Sequence, residues 1–223
     1  TIGVGESRVA VELEDAGSRL NLNLATEEEL RRLFRALRVD FGLADRLAQT
    51  IADWRDGDDL HRARGAERAE YVKEGLADLP ANRPFRSLEE LRGVRGMTGE
   101  LLQLLRPVLT VNGSGRINGN SASRPVLLAL PGMTESSVIL LLQRRSGRQP
   151  LRDINTLLLL LPSGPREELQ AEQMTLASRL VFVTSEVVAT AVASRPGSPV
   201  RSTARGLFVR SGASVFLVDR QVD

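Results

Sequence analysis

Asp53, Asp56, Asp58, Asp59 and Glu67 crowd one stretch of this chain, with Gly57 and Gly65 set among them. Hard oxygen donors close together around a glycine turn are how proteins hold Ca²⁺, which takes about 6–8 oxygens at roughly 2.3–2.6 Å. The spacing is not that of an EF-hand. Read as a calcium site, Asp56, Asp58, Asp59 and Glu67 supply most side-chain ligands and backbone carbonyls complete the shell, while Asp53, on the preceding helical run, caps or orients. A second reading stands beside it: Arg55, Arg62, Arg64 and Arg68 are interleaved with the acids and neutralise them as ordinary surface ion pairs. A bound ion would act structurally, because a ligand that binds only the folded loop stabilises it by mass action.

Other chemistry finds little support. The only histidine, His61, lies in the same charged loop without a neighbouring serine-nucleophile motif, and neither a glycine-rich phosphate cradle nor a metal-ligating histidine pair is present. Val94-Arg95-Gly96-Met97-Thr98 and Leu130-Pro131-Gly132-Met133-Thr134 have the look of helix-hairpin-helix turns, which in nucleic-acid-binding proteins offer backbone N–H groups to a phosphate. Glu100 and Glu135 stand near those helix starts and oppose an anion, so close helix packing through glycine is the default. With no cysteine, the chain has neither disulfides nor thiolate metal sites. The pI of 9.8 overstates its basicity. At pH 7 the formal charge is only +2, and charge at neutral pH governs steering.

The elements that position the acidic loop follow from periodicity. Val9, Val11 and Leu13 alternate with Arg8, Ala10, Glu12 and Glu14, the period of a strand with one buried face. Helical runs follow over 27–37, 43–54, 88–93, 100–105, 125–130, 136–145 and 166–172, punctuated by Gly, Pro, Asp and Asn. After Leu176 the period returns to β-branched and aromatic runs around Val181, Val187, Leu207 and Val215, with Arg195-Pro196-Gly197-Ser198-Pro199 as a loop and Ser211-Gly212-Ala213 as a hairpin turn. This pattern predicts an antiparallel sheet interrupted by a helical module. A module inserted at one edge leaves a face of the sheet uncovered, so another apolar element is expected there. Thr1 opens without an initiator Met and leads quickly into a strand pattern, as a piece of a longer precursor would; a long helix preceding it would supply the cover. No run in this sequence approaches the roughly 18–20 apolar residues of a membrane span.

The helical module is written twice. Arg19-Leu20-Asn21-Leu22-Asn23-Leu24-Ala25-Thr26 returns as Arg116-Ile117-Asn118-Gly119-Asn120-Ser121-Ala122-Ser123, and Pro84-Phe85-Arg86-Ser87 returns as Pro150-Leu151-Arg152-Asp153. Thr26 and Ser123 are predicted N-caps, with Glu29 completing a capping box in the first copy, and the asparagines are placed to bridge backbone groups. Ser87 and Asp153 are predicted caps further on. Trp54 and Tyr71, flanking the acidic loop, are expected anchors of the local core.

Leu20-Asn21-Leu22-Asn23, Asp53-Trp54-Arg55-Asp56-Gly57-Asp58-Asp59, Gly65-Ala66-Glu67, Pro80-Ala81-Asn82-Arg83-Pro84-Phe85, Leu91 through Gly96-Met97 and Ile117-Asn118-Gly119-Asn120 occur in one order along nearly the whole chain. In these the chain resembles the minor pseudopilin K family of bacterial type II secretion. It departs at Gly119, Ser121 and the basic His61-Arg62-Ala63-Arg64. The resemblance implies an α+β fold: a pilin-like antiparallel sheet, here without its N-terminal helix, over 1–20 and 175–223. A large all-α domain of two helix-hairpin-helix-like repeats, 21–115 and 116–174, is inserted between. It further implies a non-enzymatic subunit capping a pseudopilus tip for protein export. Its partners would be the minor pseudopilins I and J, with this region in the periplasm and the full-length protein held in the inner membrane by the absent helix. The alternative of another class is a tandem helix-hairpin-helix module binding nucleic acid.

Overall fold

The computed structural model describes residues 2–4, 7–76 and 78–222. The chain enters through β1 (Ile2–Val4) and β2 (Ser7–Asp15), turns through a short 3₁₀ helix at Ala16–Ser18, and starts the first repeat with β3 (Leu20–Asn21). There follow α1 (Glu27–Ala36), α2 (Phe41–Arg55), α3 (Arg68–Lys73), a 3₁₀ helix at Leu88–Gly93, α4 (Gly99–Leu105) and β4 (Leu109–Thr110). The second repeat runs through β5 (Ile117–Asn118), α5 (Arg124–Ala129), α6 (Glu135–Ser146), α7 (Ile154–Leu160), α8 (Ser163–Ala171), α9 (Gln173–Arg179) and β6 (Leu180–Val181). Three long strands close the fold: β7 (Glu186–Ser194), β8 (Arg201–Ser211) and β9 (Ser214–Val222).

The duplicated phrase is a duplicated way of tying a loop. In the first copy β3 pairs in parallel with β4, and in the second β5 pairs in parallel with β6. The second asparagine of each motif then clamps a distant segment at both ends of its amide. Asn23 Nδ2 donates to Phe85 O at 2.9 Å while its Oδ1 accepts from Phe85 N at 2.8 Å. Asn120 does the same to Leu151, at 2.8 and 3.2 Å. Arg55, at the end of α2, donates to the carbonyls of Leu22 and Ala25, and Arg145, in the last turn of α6, to those of Ser121 and Ala122. A short amide and a fixed guanidinium fork thus satisfy backbone groups that no ladder reaches.

The caps divide as the residue types dictate. Thr26 and Glu29 form the full capping box at 3.1 and 2.8 Å, and Asp153 accepts from Thr156 N at 2.8 Å. Ser123 and Ser87 make no side-chain cap. Position 126, where a capping-box glutamate would sit, is Val126, and the Ser123 hydroxyl is buried without a partner. Gly119, where the first copy has Leu22, leaves room for Phe182, whose ring would lie 2.8 Å from an added Cβ. Thr98 and Thr134 cap α4 and α6 after glycines at φ +86° and +68°, a backbone region that favours glycine. The helical region also runs on past Leu176 to Arg179 and stops just before the β-branched residues begin at Val181.

The two ends of the chain meet in one sheet of order β1-β2-β7-β8-β9, antiparallel throughout. β2 pairs with β7 from Arg8↔Ser194 to Asp15↔Val187, so the helical module is spliced between neighbouring strands. Asp15 closes the splice. Its Oδ2 accepts from Asn118 Nδ2 (2.6 Å), Ser121 Oγ (2.9 Å) and Thr184 Oγ1 (2.7 Å), and its Oδ1 from Gly17 N (2.9 Å). The module holds the core. Among the described residues every buried apolar side chain lies between Ala16 and Leu180, and in the five-stranded sheet only Gly206 is buried.

Candidate functional site

The acidic loop is built on the end of α2, whose start is fixed by Asp40 accepting from Leu43 N at 3.0 Å. Its last turn buries Asp53 and Trp54 together. Trp54 stacks on Phe85 at 5.6 Å and meets Tyr71 edge-on at 6.1 Å, so the aromatic residues flanking the loop anchor it to the core. Tyr71 takes Arg95 N at 3.0 Å, and burial pushes its phenol up to about 12. The loop returns to the helix through Arg64 N donating to Gln49 Oε1 at 2.9 Å. Gly65 then passes so close to Asp53 that a Cβ there would stand 1.8 Å from Asp53 Oδ2. No residue with a side chain fits that position without displacing the carboxylate.

Asp53, Asp56 and Glu67 are brought together, with one carboxylate oxygen from each within 4.8 Å of the others. Asp53 is fully buried and Glu67 is 2% exposed. Glu67 opens α3 and its N–H donates to Glu70 Oε2 at 3.1 Å, but neither oxygen of its own carboxylate has a hydrogen-bond donor. Asp56 Oδ1 is likewise buried and unpartnered. Burial, then the repulsion of Asp53 and Asp56, lifts Glu67 to about 7. Burial also raises Asp53, with Arg62 pulling the other way.

Among the described residues a single cation, Arg62, enters this group. Arg62 Nη1 lies 2.5 Å from Asp53 Oδ1 and 2.6 Å from Asp56 Oδ2, and its Nε donates to Glu27 in the first turn of α1. Burial alone would lower Arg62, yet the bonds to Asp56, Asp53 and Glu27 hold it above its ordinary value. A cavity of about 340 Å³ lined by Asn23, Glu27, Arg55, Asp56, Arg62 and Pro84 opens beside it.

Of the residues the sequence marks for calcium, Asp56 and Glu67 face the cluster, while Asp58 and Asp59 sit on an exposed turn. There Asp58 Oδ1 accepts from Leu60 N at 2.8 Å, and Asn82 Nδ2 binds Asp58 O at 3.0 Å and Asp59 Oδ1 at 3.2 Å. Asp53, read from sequence as a cap, stands inside the cluster. Gly65, twelve positions on, leaves its carboxylate the room to do so. Of the interleaved arginines, Arg62 makes the predicted neutralising pairs with Asp53 and Asp56. Arg64 reaches Asp45 at 3.4 Å, and Arg55 turns to backbone carbonyls. The donor set suits a hard cation: three carboxylates, two of them with buried oxygens lacking any donor, and a glycine that leaves Asp53 its room. His61 is exposed, its ring Nδ1 2.9 Å from the carbonyl of Arg62.

A second surface belongs to the sheet. Val11, Leu13, Val187, Ala189, Phe208 and Val215 line an apolar groove of about 530 Å³ on one face. Leu13 is 69% and Val215 63% exposed, although alternation places them where a sheet buries its side chains. Ala189 is the smallest of these lining side chains, and its register partner on β8 is Gly206.

Helices inserted into a sheet of this order, with that open face, define a pilin-like subunit carrying a large helical domain. Residues 12–114 match the family model for type II secretion system (T2SS) protein K. The type II secretion system protein K of Pseudomonas aeruginosa is 33% identical over 148 residues, which covers 60% of this chain and 44% of that one. In fold, the chain matches a chain of the GspK-GspI-GspJ complex of enterotoxigenic Escherichia coli with a TM-score of 0.76, at 21% identity over 100% of this chain and 82% of the other. Over residues 12–114 the chain is thus similar to type II secretion system protein K, and the relatives of that name match it over 60% and 45% of its length. It spans under half the length of its Pseudomonas relative. No helix among the described residues is long and apolar enough to cross a membrane.

Proposed function

We propose that this region is the periplasmic part of a non-enzymatic subunit that caps the tip of the type II secretion pseudopilus and assembles there with minor pseudopilins I and J. The observation that carries this reading is the sheet without a core of its own. Among the described residues the five strands bury no large side chain, yet they present an apolar groove beside a well-packed helical domain. A groove lined by Ala189 and by Leu13, Phe208 and Val215 suits a helix of about 10 Å diameter laid along it. The hydrophobic helix by which such subunits are held in the inner membrane is its natural cover. The bulk of the helical domain suits the end of a filament, where no further subunit must stack. Chemical cross-linking in secreting cells, read by mass spectrometry, tests the reading: cross-links to minor pseudopilins I and J support it, and their absence while the other tip contacts are captured overturns it.

Within that subunit the acidic loop holds a structural Ca²⁺. Asp53, Asp56 and Glu67 supply the inner carboxylates, and Asp58 and Asp59 on the exposed turn are the further candidate ligands. Glu67 supports this most, because a buried carboxylate with no donor on either oxygen is costly unless a cation or proton meets it. Calorimetric titration of calcium into chelator-treated protein should show saturable heat and a higher melting temperature; neither change would dismiss the ion.

A further inference from the structure

We propose that Arg62 is a tethered stand-in for the divalent cation: its guanidinium occupies the Asp53–Asp56 pair when no ion is bound, and calcium enters only by displacing it. This rests on the calcium reading of the loop. Arg62 Nη1 bridges one oxygen of each aspartate, at 2.5 and 2.6 Å. A cation ligated by those oxygens and a guanidinium nitrogen at that distance cannot share the same space, since calcium–oxygen bonds are themselves about 2.3–2.6 Å.

The two cations are not equivalent. A guanidinium presents donors in a plane and reaches the aspartates from one side. Glu67, across the cluster, receives nothing from it and keeps both oxygens bare. Arg62 therefore neutralises the half of the group that faces α1 and leaves the other half for an ion that binds all round.

The fold also provides a seat for the displaced side chain. Arg62 Nε donates to Glu27, outside the cluster, and the cavity beside it is lined by Glu27, Asn23 and Arg55, the last engaged on the carbonyls of Leu22 and Ala25. The guanidinium can swing about that contact into the cavity while the loop backbone stays in place, anchored independently by Arg64 N on Gln49. Two consequences follow for the intact protein. The loop folds without calcium because Arg62 stands in, and calcium binds more weakly than three carboxylates alone would bind it.

The test compares chelator-treated wild type, Arg62→Gln and Arg62→Lys by calcium calorimetry and thermal melting. Arg62→Gln is expected to bind calcium at least about tenfold more tightly, equivalent to about 1.4 kcal/mol, and to lose more melting temperature than wild type when calcium is removed. Arg62→Lys, which keeps the charge but not the fork, should fall between. Equal or weaker affinity in Arg62→Gln overturns the stand-in role while leaving the calcium site itself intact. No calcium heat in any of the three proteins ends both readings. If Arg62→Gln folds only with calcium present, the stand-in role is met in its strongest form. If it folds under no condition, Arg62→Lys decides: tighter binding than wild type supports the displacement, and unchanged or weaker binding overturns it.

Discussion

Arg179 and Glu29, 150 residues apart, form a bidentate ion pair: Arg179 Nη2 lies 3.0 and 2.9 Å from the two oxygens of Glu29, and Arg179 Nε lies 3.1 Å from the first. Glu29 is also the capping-box partner of Thr26. One carboxylate thus starts the first helix of the module and clasps its last. Glu29 is 4% exposed, so Arg179→Ala would leave a buried charge with only the Thr26 N–H. We expect a loss of about 2–4 kcal/mol in urea unfolding; a change within about 0.5 kcal/mol would show that the pair does not hold the ends together.

Asp15 is the hinge pin between sheet and module, with all four of its hydrogen bonds going to groups that belong to the splice. Asp15→Ala removes the acceptor shared by Asn118 Nδ2 and the Ser121 and Thr184 hydroxyls, leaving Asn118 Nδ2 only Thr184 Oγ1 at 3.2 Å, for a cost of about 2–3 kcal/mol. Hydrogen exchange should quicken first at 116–121 and 182–186, before the core around Leu30 and Leu47. Uniform quickening would place the weakness elsewhere.

Gly65→Ala tests the geometry of the acidic loop. The added methyl cannot coexist with Asp53 Oδ2, 1.8 Å away, so the carboxylate or the loop must move. The expected outcome is a destabilisation of about 1–3 kcal/mol together with lost calcium heat. Retention of wild-type calcium affinity would remove Asp53 from the ligand set.

Glu67 sets a pH dependence. Held at about 7 in the folded chain against an ordinary 4.5, it binds a proton more tightly folded than unfolded. Its contribution is therefore fully present below pH 4.5 and is lost as pH rises through 7, by roughly 3 kcal/mol at most. Asp53, also raised by burial, acts in the same direction, although Arg62 pulls it back. Chelator-treated wild type should lose stability between pH 5 and 8 by more than Glu67→Gln does, and saturating calcium should cancel the difference. Parallel pH profiles for the two proteins would contradict the assignment.

Much of this was legible before any coordinates, because it rests on local chemistry. The repeated Asn-x-Asn phrase predicts backbone bridging, and Asn23 and Asn120 bridge equivalent partners. The strand period at both ends predicts one sheet, and β2 lies against β7. Less legible was whatever depends on which of several like residues turns inward. Four arginines are interleaved with five acids, yet only Arg62 enters the cluster, because the backbone at 62 is folded back over Asp53 by its own N–H contacts at 3.3 and 3.4 Å. Asp53 joins the site because Gly65 leaves room for its carboxylate, a relation between distant positions that spacing does not encode. Ser123 fails as a cap for a similar reason, its hydroxyl being enclosed by packing in the second repeat.

The proposed assembly is tested most directly by the mass in solution of this protein mixed with the soluble regions of the minor pseudopilins I and J proposed as its partners, measured by light scattering after size exclusion. A single species with the summed mass of one copy of each is the predicted result. Three separate peaks at the masses of the individual chains, under conditions where I and J associate with each other, would contradict it.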